Sequence, residues 1–255
     1  MKTFVAFFKK ELLQSVRGGM LWIVGGIFLL FGVMNPALAK MTPWIMDMMA
    51  EELAQIGMEM ASVSADALMS WQQFFKNIPM ALIAFVFIYS NIFTKEYSSG
   101  TLVLMLTKGL SRYKIVIAKS AIMMLLWSVG YWMCFAVTYV CNDVIWDNSI
   151  ATNLMPAVVH WWLFGVFIVA LITLFSVISS NYIGVLLGTG GCVFALYLIG
   201  LVPRVTEYLP IALMNSAAYV GAASAESYTT AAVITAVCSL ACVAVSVPIF
   251  NKKQI

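Results

Sequence analysis

Six runs of mostly apolar residues constrain this chain more than anything else in it. They lie at about 20–39, 78–93, 115–141, 157–179, 182–202 and 229–250. About 20 such residues, wound as an α-helix, cross the hydrocarbon core of a bilayer. The expected fold is therefore all-α: a polytopic membrane protein with six transmembrane helices, forming one transmembrane domain over residues 1–255. Composition agrees, because 63% of residues are hydrophobic and 10% charged, with a mean hydropathy of +0.96. An ordinary soluble domain carries about a quarter charged residues.

The basic residues orient the spans. Of 14 Lys and Arg, only Lys40, Lys76 and Arg204 fall in the segments assigned to the outside. The rest sit at the two termini, between the second and third runs and, as Lys119, at the start of the third, which predicts cytoplasmic termini and a cytoplasmic loop there. Lys9, Lys10 and Arg17 interrupt the opening residues and no small-residue cleavage site follows, so the first run should stay as an anchor. Residues 1–17 are amphipathic. Phe4, Phe7, Phe8, Leu12 and Leu13 make an apolar face, and Lys2, Lys9, Lys10, Glu11 and Gln14 a polar one. Such a helix lies in the interface; the plainer alternative is a basic leader that only sets topology.

Two other stretches should lie outside. Residues 40–77 carry Asp47, Glu51, Glu52, Glu59 and Asp66 among helically spaced apolar residues, predicting an external helical hairpin or cap. The Glu51–Glu52 pair suits a solvated helix face, since the arginine and intramembrane histidine that a paired-glutamate protease would need are missing. Residues 203–228 predict one or two short helices dipping into the outer leaflet. In the fifth run, Gly184 and Gly188 form a G-x-x-x-G pair, read either as a subunit contact or pivot or as ordinary packing within the bundle.

The loop at 94–114 is too rich in Leu, Val and Met to be a solvated linker. Leu102, Leu106 and Leu110 recur at helical spacing, Ser98, Ser99 and Gly100 can open a helix, and Lys95, Lys108, Arg112 and Lys114 face one acid, Glu96. A short helix with an apolar and a basic side, lying at the inner membrane face, follows from that pattern.

The run Glu96-x-x-x-Gly100-Thr101-Leu102, then aliphatics, Leu110-Ser111-Arg112 and Lys119 opening the next span, resembles the cytosolic loop of ABC-2 type transporter permeases. In that family the loop carries the coupling helix, which docks into a cleft of an ATPase subunit. The resemblance implies a permease subunit of an ATP-driven exporter, in a bacterial cytoplasmic membrane, paired with a second permease subunit as a homo- or heterodimer. It implies that Glu96, Gly100, Thr101, Leu102, Leu106, Leu110, Ser111 and Arg112 couple the spans to the ATPase. Glu96 and Thr101 would shape or cap the turn, and Gly100 would permit close backbone approach. Lys9, Lys10, Lys114 and Lys119 would anchor the inner face on anionic lipid, or else only set topology. A peptide antibiotic or lipid-like cargo fits the small permeases this chain resembles.

The sequence offers little other chemistry. No ionisable residue lies near the middle of a span, where proton and ion pathways are marked. There is no phosphate loop, no nucleophile elbow and no H-E-x-x-H helix. Cys134, Cys141, Cys192, Cys238 and Cys242 form no C-x-x-C pair and His160 stands alone, so no metal site is expected. No cofactor is assigned to this chain; ATP and Mg would be bound by the partner, and nucleic acid is not an expected ligand. The rival reading from another class is a membrane scaffold or assembly subunit with no transport path.

Overall fold

The computed structural model describes residues 2–54, 64–107, 109–222 and 228–253. Among them there is no strand, and six helices are long and apolar enough to cross a membrane. The chain opens with helix α1 (Lys2–Arg17). Gly19, at φ 78°, closes it in the left-handed conformation that costs glycine no Cβ strain.

Helix α2 (Met20–Ala54) runs for 35 residues without a break. At 1.5 Å per residue it is about 52 Å long, well beyond a hydrocarbon core of about 30 Å. The composition shift at Lys40 marks no helix end: the residues up to Ala54, expected to lie outside, continue α2. The partner helix α3 (Ala67–Tyr89) also starts earlier than the apolar run suggests, because Asp66 caps it by accepting from the Met69 amide at 2.8 Å. The Glu51–Glu52 pair lies in the last turn of α2, and Glu59 lies outside the described residues.

Two short helices follow, α4 (Thr94–Ser98) and α5 (Thr101–Thr107). Then come α6 (Arg112–Ile145), α7 (Leu154–Ile178) and α8 (Tyr182–Ile199). Beyond α8 lie the expected short helices, α9 (Pro203–Thr206) and α10 (Ala212–Asn215), before the last span α11 (Thr229–Lys252). Gly221 donates its amide to Thr152 O at 2.9 Å, tying this segment to the start of α7.

Helix α7 is the centre, packed by α11, α6, α8 and α3, while α2 packs on α3 and α6. At the α6–α7 contact Gly165 makes room for the Trp127 ring; a Cβ there would sit 2.0 Å from it. Trp127 Nε1 then donates to Trp162 O at 3.1 Å and the Tyr131 hydroxyl to Val158 O at 2.7 Å. Buried aromatics find partners for their polar ends in this way.

A polar thread joins α2, α3 and α6. Pro36 lies inside α2 and has no amide hydrogen, so the carbonyl four residues back, Gly32 O, loses its helical partner. The Thr138 hydroxyl of α6 donates to that oxygen at 3.0 Å. Asn35 Nδ2 donates to Thr138 Oγ1 at 3.1 Å, and Asn77 Nδ2 to Asn35 Oδ1 at 2.8 Å. Neighbouring side chains are how a membrane helix tolerates an internal proline.

Candidate functional site

One end of the bundle gathers α1, the α4–α5 loop, the start of α6 and the last residues of α11. The loop is shaped by two glycines in the left-handed region, Gly100 at φ 67° and Gly109 at φ 84°. They bracket α5. Leu102 is fully buried, Leu106 and Leu110 are half-buried, and Thr101, Val103 and Thr107 face outward. Helix α5 is thus buried along one side and exposed at Thr101 and Val103 on the other. Its chain neighbours aside, no atom of the described residues comes within 4 Å of a Cβ built on Gly100, so among them its glycine serves the backbone angle rather than a close contact. The Thr101 and Ser99 hydroxyls lie 2.9 Å apart at that turn. Ser111 precedes α6 in extended conformation, without a side-chain cap bond.

Behind the loop lies a cluster of four charges, all but Lys10 buried. Lys119, 1% exposed, puts its Nζ 2.8 Å from Glu11 Oε2, 3.1 Å from Glu96 Oε2 and 3.1 Å from Ile92 O. Lys10 Nζ lies 2.7 Å from Glu11 Oε1 and 3.5 Å from Glu96 Oε1. The Phe93 ring covers Lys119 with its centroid 5.5 Å from Nζ. Glu11 and Glu96 are nearly as buried as Lys119. Two lysines thus balance two buried carboxylates, which makes each partner necessary. Burial raises the Glu11 carboxyl; the Lys119 charge and the hydrogen bonds from both lysines outweigh it and hold it below the usual carboxylate value. Glu96 Oε2 lies 3.1 Å from the Lys119 ammonium without an aligned hydrogen bond.

Two further cations of this end, Arg112 and Lys253, cap helices. Arg112 Nη1 donates to Phe250 O at 2.9 Å and also to Lys253 O, where α11 ends. Lys253 Nζ donates to Val177 O at 2.8 Å and Ser179 O at 3.0 Å, where α7 ends, and sits 4.3 Å from the centroid of the Tyr97 ring of α4. Half-burial pushes the Lys253 ammonium down from its ordinary value. Free carbonyls and the negative end of the helix dipole make such sites favourable for cations.

The sequence-predicted residues divide accordingly. Glu96, Leu102, Lys10, Lys119 and Arg112 come together in this assembly. Lys9 is exposed, and Lys114 is half-buried with its Nζ 5.8 Å from the Tyr113 ring centroid. Lys119 faces the interior and Glu96 pairs with lysines rather than capping a turn. Gly184 and Gly188 face the end of α7: Cβ atoms there would lie 2.1 Å from Ser179 Oγ and 2.3 Å from the Phe175 ring. Sequence reasoning missed Glu11, Tyr97 and Lys253. For Glu11 a signal existed, since Phe7, Glu11 and Ser15 recur every four residues and all three are buried on one stripe.

A second feature faces the apolar surroundings. A groove of about 540 Å³ opens between α3, α7 and α8, lined by apolar residues such as Leu82, Phe87, Phe164, Leu187, Phe194 and Met214. Among the described residues no group of three or more His, Cys, Asp or Glu is placed to hold a metal ion. The charge cluster ties α1, α4 and α6 together through its ion pairs.

A family model described as ABC-2 family transporter protein matches residues 5–205 of the chain. A comparison with curated proteins finds no match.

Proposed function

Because this chain belongs to the ABC-2 family of transporter membrane proteins, a multi-pass subunit whose family implies an ABC ATPase partner, we propose that it is the permease of an ATP-driven exporter coupled through residues 94–111. One observation carries the reading: α5 exposes Thr101 and Val103 on its outer side, while α4 behind it is tied through Glu96 to Lys119 and Lys10. A short helix that is both accessible and mechanically connected is what coupling to a second protein requires. Thr101 and Val103 present the docking side; Leu102 and Glu96 carry displacement inward. The charged end then faces the cytoplasm with both termini, as the distribution of Lys and Arg favours.

Two permease subunits work with two ATPase subunits in a bacterial cytoplasmic membrane. ATP and Mg are bound by the ATPase, which does the hydrolysis. The groove between α3, α7 and α8 favours a hydrophobic or amphipathic cargo, such as a lipid-like molecule or membrane-active peptide, because its walls offer apolar surface and few polar groups.

The test is affinity purification of the full chain in mild detergent, with mass spectrometry and an ATPase assay. A stoichiometric ATPase in a complex holding two membrane subunits supports the reading. Val103→Glu, which charges the outer side of α5, should release that ATPase without loss of the membrane subunit. Recovery of the folded chain with no ATPase would overturn the reading in favour of a scaffold.

A further inference from the structure

The geometry points to Glu11 as a positioning residue that makes α1 one body with the α4–α5 loop. This inference rests on the coupling role proposed for that loop and extends it to a helix whose sequence suggests only membrane-surface attachment.

Three observations lead there. The first is burial. An interfacial helix gains by placing apolar residues inward, yet the inward stripe of α1 holds a carboxylate between Phe7 and Ser15, 4% exposed. A buried charge is costly unless paired, so Glu11 is useful only where its partners stand. The second is connectivity. Glu11 grips Lys119 of α6 and Lys10 of its own helix, and the same two ammoniums contact Glu96 of α4. The third is the inequality of the bonds. Glu11 holds both lysines at 2.7 and 2.8 Å, whereas Glu96 reaches them at 3.1 and 3.5 Å.

The mechanical consequence follows from these distances. Glu11 sets where the lysine heads lie, and the heads set where Glu96, and with it α4, can rest. When α5 is displaced by a partner, Glu96 pulls on ammoniums already fixed to α1. Helix α1 therefore follows the loop. Without the Glu11 charge, both lysines are left to Glu96, and α1 keeps only its apolar contacts and the longer Lys10–Glu96 pair at 3.5 Å.

The experiment measures one distance in the full chain with its co-purified ATPase. Gln14 on α1 and Val103 on α5 are both exposed. Gln14→Cys and Val103→Cys carry spin labels in a background where the five native cysteines are replaced. A single narrow distance, unchanged by ATP with vanadate, is expected with Glu11 present. E11Q should broaden it and make it nucleotide-dependent, while E11D should retain the narrow distance. Should E11Q fail to accumulate, E11Q/K119M serves instead. It leaves no orphaned ammonium, because Lys10 and Glu96 still balance, and the same broadening is expected. A distance that shifts with nucleotide when Glu11 is present, or one that neither variant alters, overturns the inference. If no ATPase co-purifies, the permease reading fails, and the nucleotide-free distances still decide whether Glu11 fixes α1 to the loop.

Discussion

Replacing Thr138 by Val tests the account of how α2 continues through Pro36. The substitution keeps the branched shape and removes the hydroxyl. Two buried groups then lose their partner: Gly32 O, which accepts from Thr138 at 3.0 Å, and Asn35 Nδ2, which donates to it at 3.1 Å. Each unsatisfied group costs about 1–3 kcal/mol in general, but side-chain bonds between membrane helices average only about 0.6 kcal/mol. T138V should therefore destabilise by about 1–3 kcal/mol in all, read by detergent-titration unfolding. The sharper test is a cycle with Pro36→Ala. An alanine at that position has an amide hydrogen that can return to Gly32 O, so in that background T138V loses only the Asn35 bond. The intrinsic helix preference of alanine over proline cancels in the cycle. The coupling should equal one hydrogen bond, about 0.6–1.5 kcal/mol, with T138V milder in the P36A background. Thr138→Ser, which keeps donor and acceptor, should show most of the wild-type bonding. Equal cost of T138V in both backgrounds would refute the reasoning.

Three further outcomes follow from the structure. Lys119→Met should destabilise by about 3–5 kcal/mol, because it leaves Glu11 and Glu96 buried with Lys10 alone; a loss below about 1 kcal/mol in the same assay would contradict the cluster. Gly165→Ala should lose about 1–3 kcal/mol by overpacking, since its Cβ meets Trp127 at 2.0 Å, and Trp fluorescence should shift with it. The Glu11 carboxyl is held below its ordinary value of 4.5, so its contribution is complete above that pH and is lost as pH falls toward the folded value. E11Q should therefore flatten the acid limb of a stability profile, and an unchanged limb would remove Glu11 from the ionised pair.

The spans were legible because length and apolarity are local properties, read without reference to packing. Helix ends were less legible. Lys40 changes the composition but breaks no helix, and α2 simply leaves the apolar zone while still wound. Lys76, Asn77 and Pro79 looked like a boundary before the second span. In the fold, Lys76 is exposed, Asn77 bonds to Asn35, and Pro79 sits inside α3. The true start was written in Asp66. At the site, Glu96 and Gly100 were found through a family pattern, but what they face was not. Lys119 looks like a boundary cation from its place at the edge of a span. Only the fold brings Glu11, 108 positions earlier, against it. A single sequence carries no signal for such a pair beyond one acid on an otherwise buried stripe.

The cations of the charged end have a common logic. Three chain segments leave a span there, after α3, α7 and α11, and each presents end carbonyls with room to accept a further hydrogen bond. Each receives a cation from another element: Lys119 of α6 on Ile92 O, Lys253 on Val177 O and Ser179 O, and Arg112 of α6 on Phe250 O. Had every end been capped by its own residues, the helices would be stabilised yet mechanically independent. Because the caps are exchanged, α6 holds α3 and α11, and the residue that ends α11 holds α7 and rests on Tyr97 of α4. Apolar packing alone would let these ends slide, since it has no preferred direction, whereas hydrogen bonds to carbonyls weaken steeply when misaligned. A displacement of α4 therefore reaches α6 through Glu96 and Lys119, and α7 and α11 through Tyr97 and Lys253. The loop needs no long lever into the bundle, because the bundle's own helix ends are already joined beneath it.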